Sequence, residues 1–276
     1  LTFPVPETGE YQVRVSDVRR FGGEDFTYEL TARVPDPGFS VSLNKPELKI
    51  SPQSGHEMMV SAVRHDGFGG PIEVSVEGLP EGLTSTSPVT IEANHLRALI
   101  GFHASDSLTT LEPEALEAIQ IVARATVDGE MVEFNLPQLK KVEVREAPKF
   151  QVEVMPNGSN GNPTTGPDGM LELTIAPGAT LKARVVAKRN GHTGRIDFGK
   201  EDAGRNLPHG IYVDNIGLNG LMIPEGKNEQ EFFLTAAPWV EEMDRLFHLR
   251  GTQDDGQATQ PVRLKVRKPS ALADAK

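Results

Sequence analysis

One pattern occurs twice in this chain. Val63–Leu83 reads VRHDGFGGPIEVSVEGLPEGL, and Ala187–Ile211 reads AKRNGHTGRIDFGKEDAGRNLPHGI. Gly67, Gly70 and Ile72 match Gly191, Gly194 and Ile196 at an offset of 124 residues. After a four-residue insertion, Leu79, Pro80 and Gly82 match Leu207, Pro208 and Gly210. Ile91 and Ala104 then match Ile223 and Ala236, and Thr126 in ARATVDG matches Thr252 in LRGTQDDG. Order kept while offsets drift is the mark of a folding unit present in two copies with variable loops. The fold must therefore accommodate the same pattern twice.

Within each copy the pattern is that of β-strands. Ile72, Val74 and Val76 alternate with Glu73, Ser75 and Glu77, which places one face in a core and the other in water. Similar short runs occur at Phe39–Leu43, Met58–Arg64, Leu96–His103, Ala118–Thr126 and Lys140–Val144, and in the second copy at Phe150–Met155, Leu181–Ala187, Glu231–Thr235 and Val262–Val266. Turn residues separate them. Asp66-Gly67 and Asn190-Gly191 suit tight hairpins, because Asn and Gly tolerate positive φ. Leu79-Pro80-x-Gly82 and its twin read as turns in which Pro sets φ and Gly takes a conformation other residues disfavour. Two helical turns are expected at matching places, Leu111–Glu117 and Pro238–Met243. The fold class is all-β: two tandem β-sandwiches.

Proline marks the boundaries. VPDPGF (Val34–Phe39) and EAPKF (Glu146–Phe150) each set Pro before an aromatic that opens a strand, and Pro ends ladder pairing. Residues 37–147 and 148–268 are the two units, joined by a linker too short to be a floppy tether and expected to stack end to end. Residues 1–36 hold two strand patterns, Gln12–Val15 and Thr27–Arg33, too few to be stable alone. They read as the end of a preceding sandwich, or as packed on the first unit. Residues 269–276 read as a disordered tail.

Those first residues, GEYQVRVSDVRRFGGEDFTYELTARV, resemble the closing hairpin of a bacterial pre-peptidase C-terminal (PPC) domain, the likeness resting on Tyr11, Gly22-Gly23, Phe26 and Tyr28. From Phe39 on, the turn pattern [DN]-G-[FH]-x-G-x-I followed by LP-x-G-[LI] resembles the tandem immunoglobulin-like modules of large exported bacterial proteins. The resemblance implies an immunoglobulin-like fold for both sandwiches. It also implies a non-catalytic structural or adhesive spacer, or an interaction region, of a secreted or cell-surface protein. The location would be extracellular, periplasmic or the cell surface. Its partners would be other domains of the same polypeptide, with an extracellular protein or a glycan as external candidates. The alternative reading is a carbohydrate- or protein-binding accessory module of an exported hydrolase or peptidase.

Composition narrows the chemistry. Twenty-eight Lys and Arg against 39 Asp and Glu give a net charge of −11. Without a basic tract this argues against nucleic acid, whose affinity comes from phosphate neutralisation. With no cysteine, disulfides, thiolate metal sites and cysteine nucleophiles are excluded. No stretch reaches the ~20 apolar residues of a membrane span, so membrane insertion is not expected.

No catalytic, cofactor or metal residue is assigned. His56-Glu57-Met58-Met59-Val60 starts like a zinc-peptidase motif, which needs a second His four positions on, in a helix; here Val60 stands there, in a strand pattern. His95 and His103, at opposite ends of one strand roughly 26 Å apart at ~3.3 Å per residue, cannot share an ion. His65 and His192 read as solvated turn residues. The loop Asn157–Asp168 (NGSNGNPTTGPD) is rich in oxygen donors but holds one carboxylate, which favours a flexible loop over a weak calcium site. Asp254-Asp255-Gly256 reads as a hairpin turn. Trp239, the sole tryptophan, reads as a lid over the second core, and an exposed Trp239 would instead suggest a binding surface.

Overall fold

Where apolar residues alternate beyond residue 37, strands form. The structure, a computed structural model, describes residues 3–214 and 216–269. The first half contains β1 (Gly38–Leu43), β2 (Glu47–Ile50), β3 (Ser54–His65), β4 (Ile72–Glu77), β5 (Leu83–Ser85), β6 (Val89–Ile91), β7 (Arg97–Ala104), helix α1 (Pro113–Glu117), β8 (Gln120–Val127), β9 (Glu130–Asn135) and β10 (Lys141–Val144). The second contains β11 (Phe150–Pro156), β12 (Thr164–Thr165), β13 (Leu171–Ile175), β14 (Thr180–Arg189), β15 (Ile196–Gly199), β16 (Ile211–Asp214), β17 (Leu221–Ile223), β18 (Glu229–Ala236), β19 (Met243–Phe247), β20 (Arg250–Gly251), β21 (Gln257–Ala258) and β22 (Val262–Val266). Among the described residues the architecture is all-β, with α1 as the one named helix. Of the two expected helical turns only the first forms.

The halves share a wiring plan. Order β1-β3-β7-β5 in the first is matched by β11-β14-β18-β16 in the second. The antiparallel pair β4–β6, with β5 between them in the chain, has its twin in β15–β17, with β16 between them. Each half also contains one parallel pair, β2 with β10 and β13 with β22, which joins an early strand to its last. Buried apolar side chains form two clusters, one spanning Val41–Val142 and the other Phe150–Val266. In β4, Ile72 and Val74 are buried while Glu73 and Glu77 face water.

A repeated arginine ties the loops of each half. Arg64, one residue before the end of its strand, lies opposite Phe39, and Arg189, which ends its strand, lies opposite Phe150. The Arg64 guanidinium donates to the carbonyls of Gly70, Glu92 and His95. Arg189 donates to those of Gly194, Pro224 and Lys227, and also to His192. Glu92 to Pro224 and His95 to Lys227 are the same 132-residue step that relates Ile91 to Ile223. The planar fork of donors thus gathers two separate loops around one charge. Each clamp stands beside a ring pair, Phe39 with Phe68 and Phe150 with His192. His192 is therefore packed and not simply solvated.

The two expected N-terminal strands do not form. Among the described residues, 3–37 carry no ladder, and Tyr11, Val13, Val15, Phe26 and Tyr28 stay exposed. Two strands without a third layer bury too little apolar surface to offset the entropy of ordering them. The segment does not pack on the first unit either. Its attachment is an Arg33–Asp66 ion pair and the Asp36 amide, which donates to Asp66 at 2.8 Å. The Asp66 carboxyl is held down to about 2 by the Arg33 hydrogen bond and that amide. The tail at 270–276 lies outside the described residues.

Arg64→Lys and Arg189→Lys should each cost about 2 kcal/mol, because an ammonium cannot span three carbonyls and some are left unpaired. Urea denaturation checks this, with Trp239 fluorescence reporting on the second unit. A change below about 0.5 kcal/mol, the range of ordinary surface substitutions, would remove the clamp from the account.

Candidate functional site

The most organised polar cluster lies where the two units meet, and strand register builds it. β1 covers β3 only over Val60–His65, which leaves the early part of that edge open. β21 of the second unit fills the gap, with Ala258 opposite Gly55, so one sheet runs from the first unit into the second. The approach needs glycine. A Cβ on Gly55 would lie 2.5 Å from the Phe102 carbonyl and 2.8 Å from the Ala258 side chain.

Alternation then sets what faces the second unit. Met58, Val60, Ile100 and Phe102 point into the first core, so Glu57 and Gly101, opposite each other across the ladder, point out. The His248 ring lies on Gly101, where an added Cβ would sit 2.6 Å from it. His248 is fully buried, and its Nε2 meets Glu57 Oε1 at 3.0 Å, so that nitrogen carries the proton the carboxylate accepts. Arg205 Nε stands 3.3 Å from the same oxygen, and Arg250 Nε 3.5 Å from the other. Burial alone would raise the Glu57 carboxyl. The His248 hydrogen bond and charge, with Arg205 and Arg250, reverse this and hold it below its ordinary 4.5.

Further contacts run outward from this centre. Arg245 pairs with Glu92 at 3.1 Å, and Asn206 accepts from the Thr90 amide while donating to the Leu246 carbonyl. Buried Ser54 donates to Gln257, and Gln151 donates to the Pro52 carbonyl. The turn read as Asp254-Asp255-Gly256 grips the linker: Asp255 pairs with Arg145 at 3.1 Å, and Asp254 accepts from the Lys149 amide at 2.7 Å. The units therefore dock side by side across the outer face of β3 and β7, and not end to end. The short linker permits both arrangements, and the two glycines and Glu57 select the lateral one.

The second unit has no equivalent socket. The Glu57/Gly101 pair corresponds to the Lys182/Phe233 pair of β14 and β18. Lys182 lies over the Phe233 ring at 5.9 Å, and its backbone amide donates to the side-chain Oδ1 of Asn160 at 2.6 Å.

The other residues singled out by sequence have local roles. In Asn157–Asp168, Asn157 donates to Glu231, Asn160 serves Lys182, and Asp168 is held by Arg263 at 2.6 Å. Several of the loop's polar side chains are thus engaged by the protein, and among the described residues no His, Asp and Glu group could hold a metal ion. His95 is exposed at one end of its strand, and His103 lies at the other end in the groove against Gln151. Trp239 is not a lid: it is 60% exposed beside His209, with Gly210 beneath its ring, while Val240 fills the core. Glu57, Gly55, Gly101, Arg205 and His248 were not read from sequence as a site. The available signal was two glycines inside strand patterns, which mark close backbone approach.

No protein-family model matches the chain, and no curated protein matches it. Among solved structures, a protein of unknown function from Porphyromonas gingivalis W83 aligns with 82% of this chain and 99% of its own length, at 9% identity and a TM-score of 0.28. A likeness that low carries no argument.

Glu57→Ala takes the shared carboxylate from His248, Arg205 and Arg250, the two guanidinium groups being partly buried and Arg205 keeping Asp202, which should weaken docking by about 1–3 kcal/mol. Gly101→Ala should weaken it by about 1–3 kcal/mol through overpacking against His248. In both variants, small-angle scattering should show the units separating while urea melts retain two intact cores. Acid should act similarly. Burial lowers His103 to about 4, and burial with Arg250 and Arg145 lowers His56, Glu57 opposing. Glu57 is depressed too, so all three contributions are whole above the ordinary histidine value of 6.5 and fade as pH falls from there through about 4. Scattering across that window should show separation before loss of β-sheet signal.

Proposed function

We propose that this chain is a non-catalytic structural and adhesive spacer, or interaction region, of a secreted or cell-surface bacterial protein. In this reading residues 37–147 and 148–268 are immunoglobulin-like sandwiches, and residues 1–36 belong to a PPC-like unit that precedes them. The observation that carries it is the junction. A spacer must hold a fixed geometry between what lies on either side. A sheet shared through Gly55 and Ala258, with a carboxylate met by the His248 imidazole and two guanidinium groups, supplies that stiffness. Interfaces between domains of one chain are otherwise expected to permit relative motion.

The duplicated arginine clamp supports the reading in a second way. The residues that recur are those that bind loops to strands, which is scaffold chemistry. One specific observation favours the accessory-module alternative. The exposed Trp239 ring, flanked by His209, offers an aromatic face that could stack on a sugar.

Residual dipolar couplings measured separately for residues 38–144 and 150–266 should fit one alignment tensor. Two unrelated tensors would overturn the rigid-spacer reading. A glycan array decides between the two functions: selective binding abolished by Trp239→Ala would favour the accessory module.

A further inference from the structure

Beside Glu57, the docked units enclose a cleft of about 620 Å³ whose walls come from both. The alternation of β2 sends Leu48 and Ile50 into the first core and leaves Glu47 and Lys49 outside, with Lys45 exposed just ahead of the strand. The linker contributes Arg145, the second unit contributes Arg250, and His56 lies between them. In a chain of net charge −11, this is a local gathering of cations.

The carboxylates in the cleft do not use them up. Glu57 is met by His248, Arg205 and Arg250 together, and Asp255 by Arg145. Glu143, whose charge acts on Lys49's side of the sheet, is already taken by Lys141 at 2.6 Å. Among the described residues neither Lys45 nor Lys49 has an ion pair, and Glu47 is the one further carboxylate on the cleft wall. Arg250 uses Nη2 on the Asp255 carbonyl and Nε against Glu57, which leaves its other terminal nitrogen without a hydrogen bond.

We propose that this cleft binds an oxyanion, a phosphate, sulfate or carboxylate group, between the ammonium groups of Lys45 and Lys49 and the guanidinium of Arg250. Charge-assisted hydrogen bonds to such a group are short and about twice as strong as neutral ones, and a partly enclosed cleft screens them less than open solvent does. His56 reports the field: besides burial, Arg250 and Arg145 press its proton off, while Glu57 and Asp255 oppose them. An anion seated in the cleft would cancel that repulsion. Because both units build the walls, occupancy would also stabilise the docked arrangement by mass action.

The test titrates the intact chain with sodium phosphate and with sodium sulfate, each against sodium chloride at matched ionic strength, while NMR follows the His56 imidazole. A saturable shift and a rise in the His56 titration midpoint are expected with phosphate or sulfate and not with chloride. Lys45→Ala with Lys49→Ala should weaken binding about ten-fold or more. Both side chains are exposed, so folding should be kept, and Lys49→Gln alone gives a milder check. Lys188→Ala, in another groove between the units, should leave binding unchanged. A sulfated disaccharide and its unsulfated parent separate the sources. Tighter binding of the sulfated sugar than of inorganic sulfate supports a glycan-borne group, and equal binding supports a free oxyanion. No saturable response beyond chloride, or a double variant that binds like the parent, overturns the proposal.

Discussion

A carboxylate taken out of water must be compensated, and Glu57 is compensated only by the second unit. Desolvation disfavours its charge, and the first unit's own groups do not relieve it; His248, Arg205 and Arg250 all arrive from residues beyond 200. His248 in turn donates to the carboxylate, and Arg205 divides its charge between Glu57 and Asp202. Neither half can therefore present this face to water and keep the same electrostatic arrangement, which makes lateral docking part of the fold and not an addition to it. A buried ion pair is weak evidence for stability, because an apolar replacement can do as well. Its effect here is on register. The observed placement of the second unit brings His248, Arg205 and Arg250 to one pair of oxygens while setting a ring on Gly101 and Ala258 beside Gly55.

The same junction explains where the turns and linker sit. The hairpin through Asp254 and Asp255 reaches back to Arg145 and Lys149, so the connection between the units is held by the element that follows it by about a hundred residues. Contacts at Thr90 and Glu92 hold the opposite side. With restraints on both flanks and a shared sheet edge between them, rotation of one unit about the linker would break polar contacts at several places at once. The cleft lined by Lys45, Lys49 and Arg250 is a by-product of that geometry, since its walls come from surfaces that meet only when the units are docked.

Much of the strand layout was legible because alternation is local. Ile72–Val76, Phe39–Leu43 and Val262–Val266 each show their buried face in five or six letters. The Gly-containing turns were equally plain: Asp66 and Gly67 both have positive φ, as do Gly82 and its twin Gly210. The parallel pairs were not legible, because β2 and β10 share no turn and their pairing is decided by closure of the whole unit. The arginine clamp escaped for a simpler reason. The first turn holds one more residue between Arg64 and Gly70 than the second holds between Arg189 and Gly194, so aligning the turns misaligns the arginines. The N-terminal strand patterns misled because alternation states which face would be buried, not whether anything is present to bury it.

Duplication also accounts for the asymmetry of the two copies. A face that accepts a neighbour and a face that meets water make opposite demands on the same positions. Where the first copy keeps glycine at 101, the second places Phe233, and where the first has Glu57, the second has Lys182 lying over that ring. Gly55 and His103 likewise give way to Thr180 and Thr235, whose hydroxyls meet at 3.2 Å. These substitutions fill the hollow a hairpin would need and cover the aromatic with an ammonium paired to Glu231, while the core-facing residues of the same two strands remain apolar. The core residues answer to a packing requirement common to both copies, whereas the outward residues of β3, β7, β14 and β18 answer to what each copy touches. The face of β14 and β18 is thereby closed to the mode of docking used by β3 and β7, and the junction at Glu57 stays a single specific contact between unlike surfaces of two like folds.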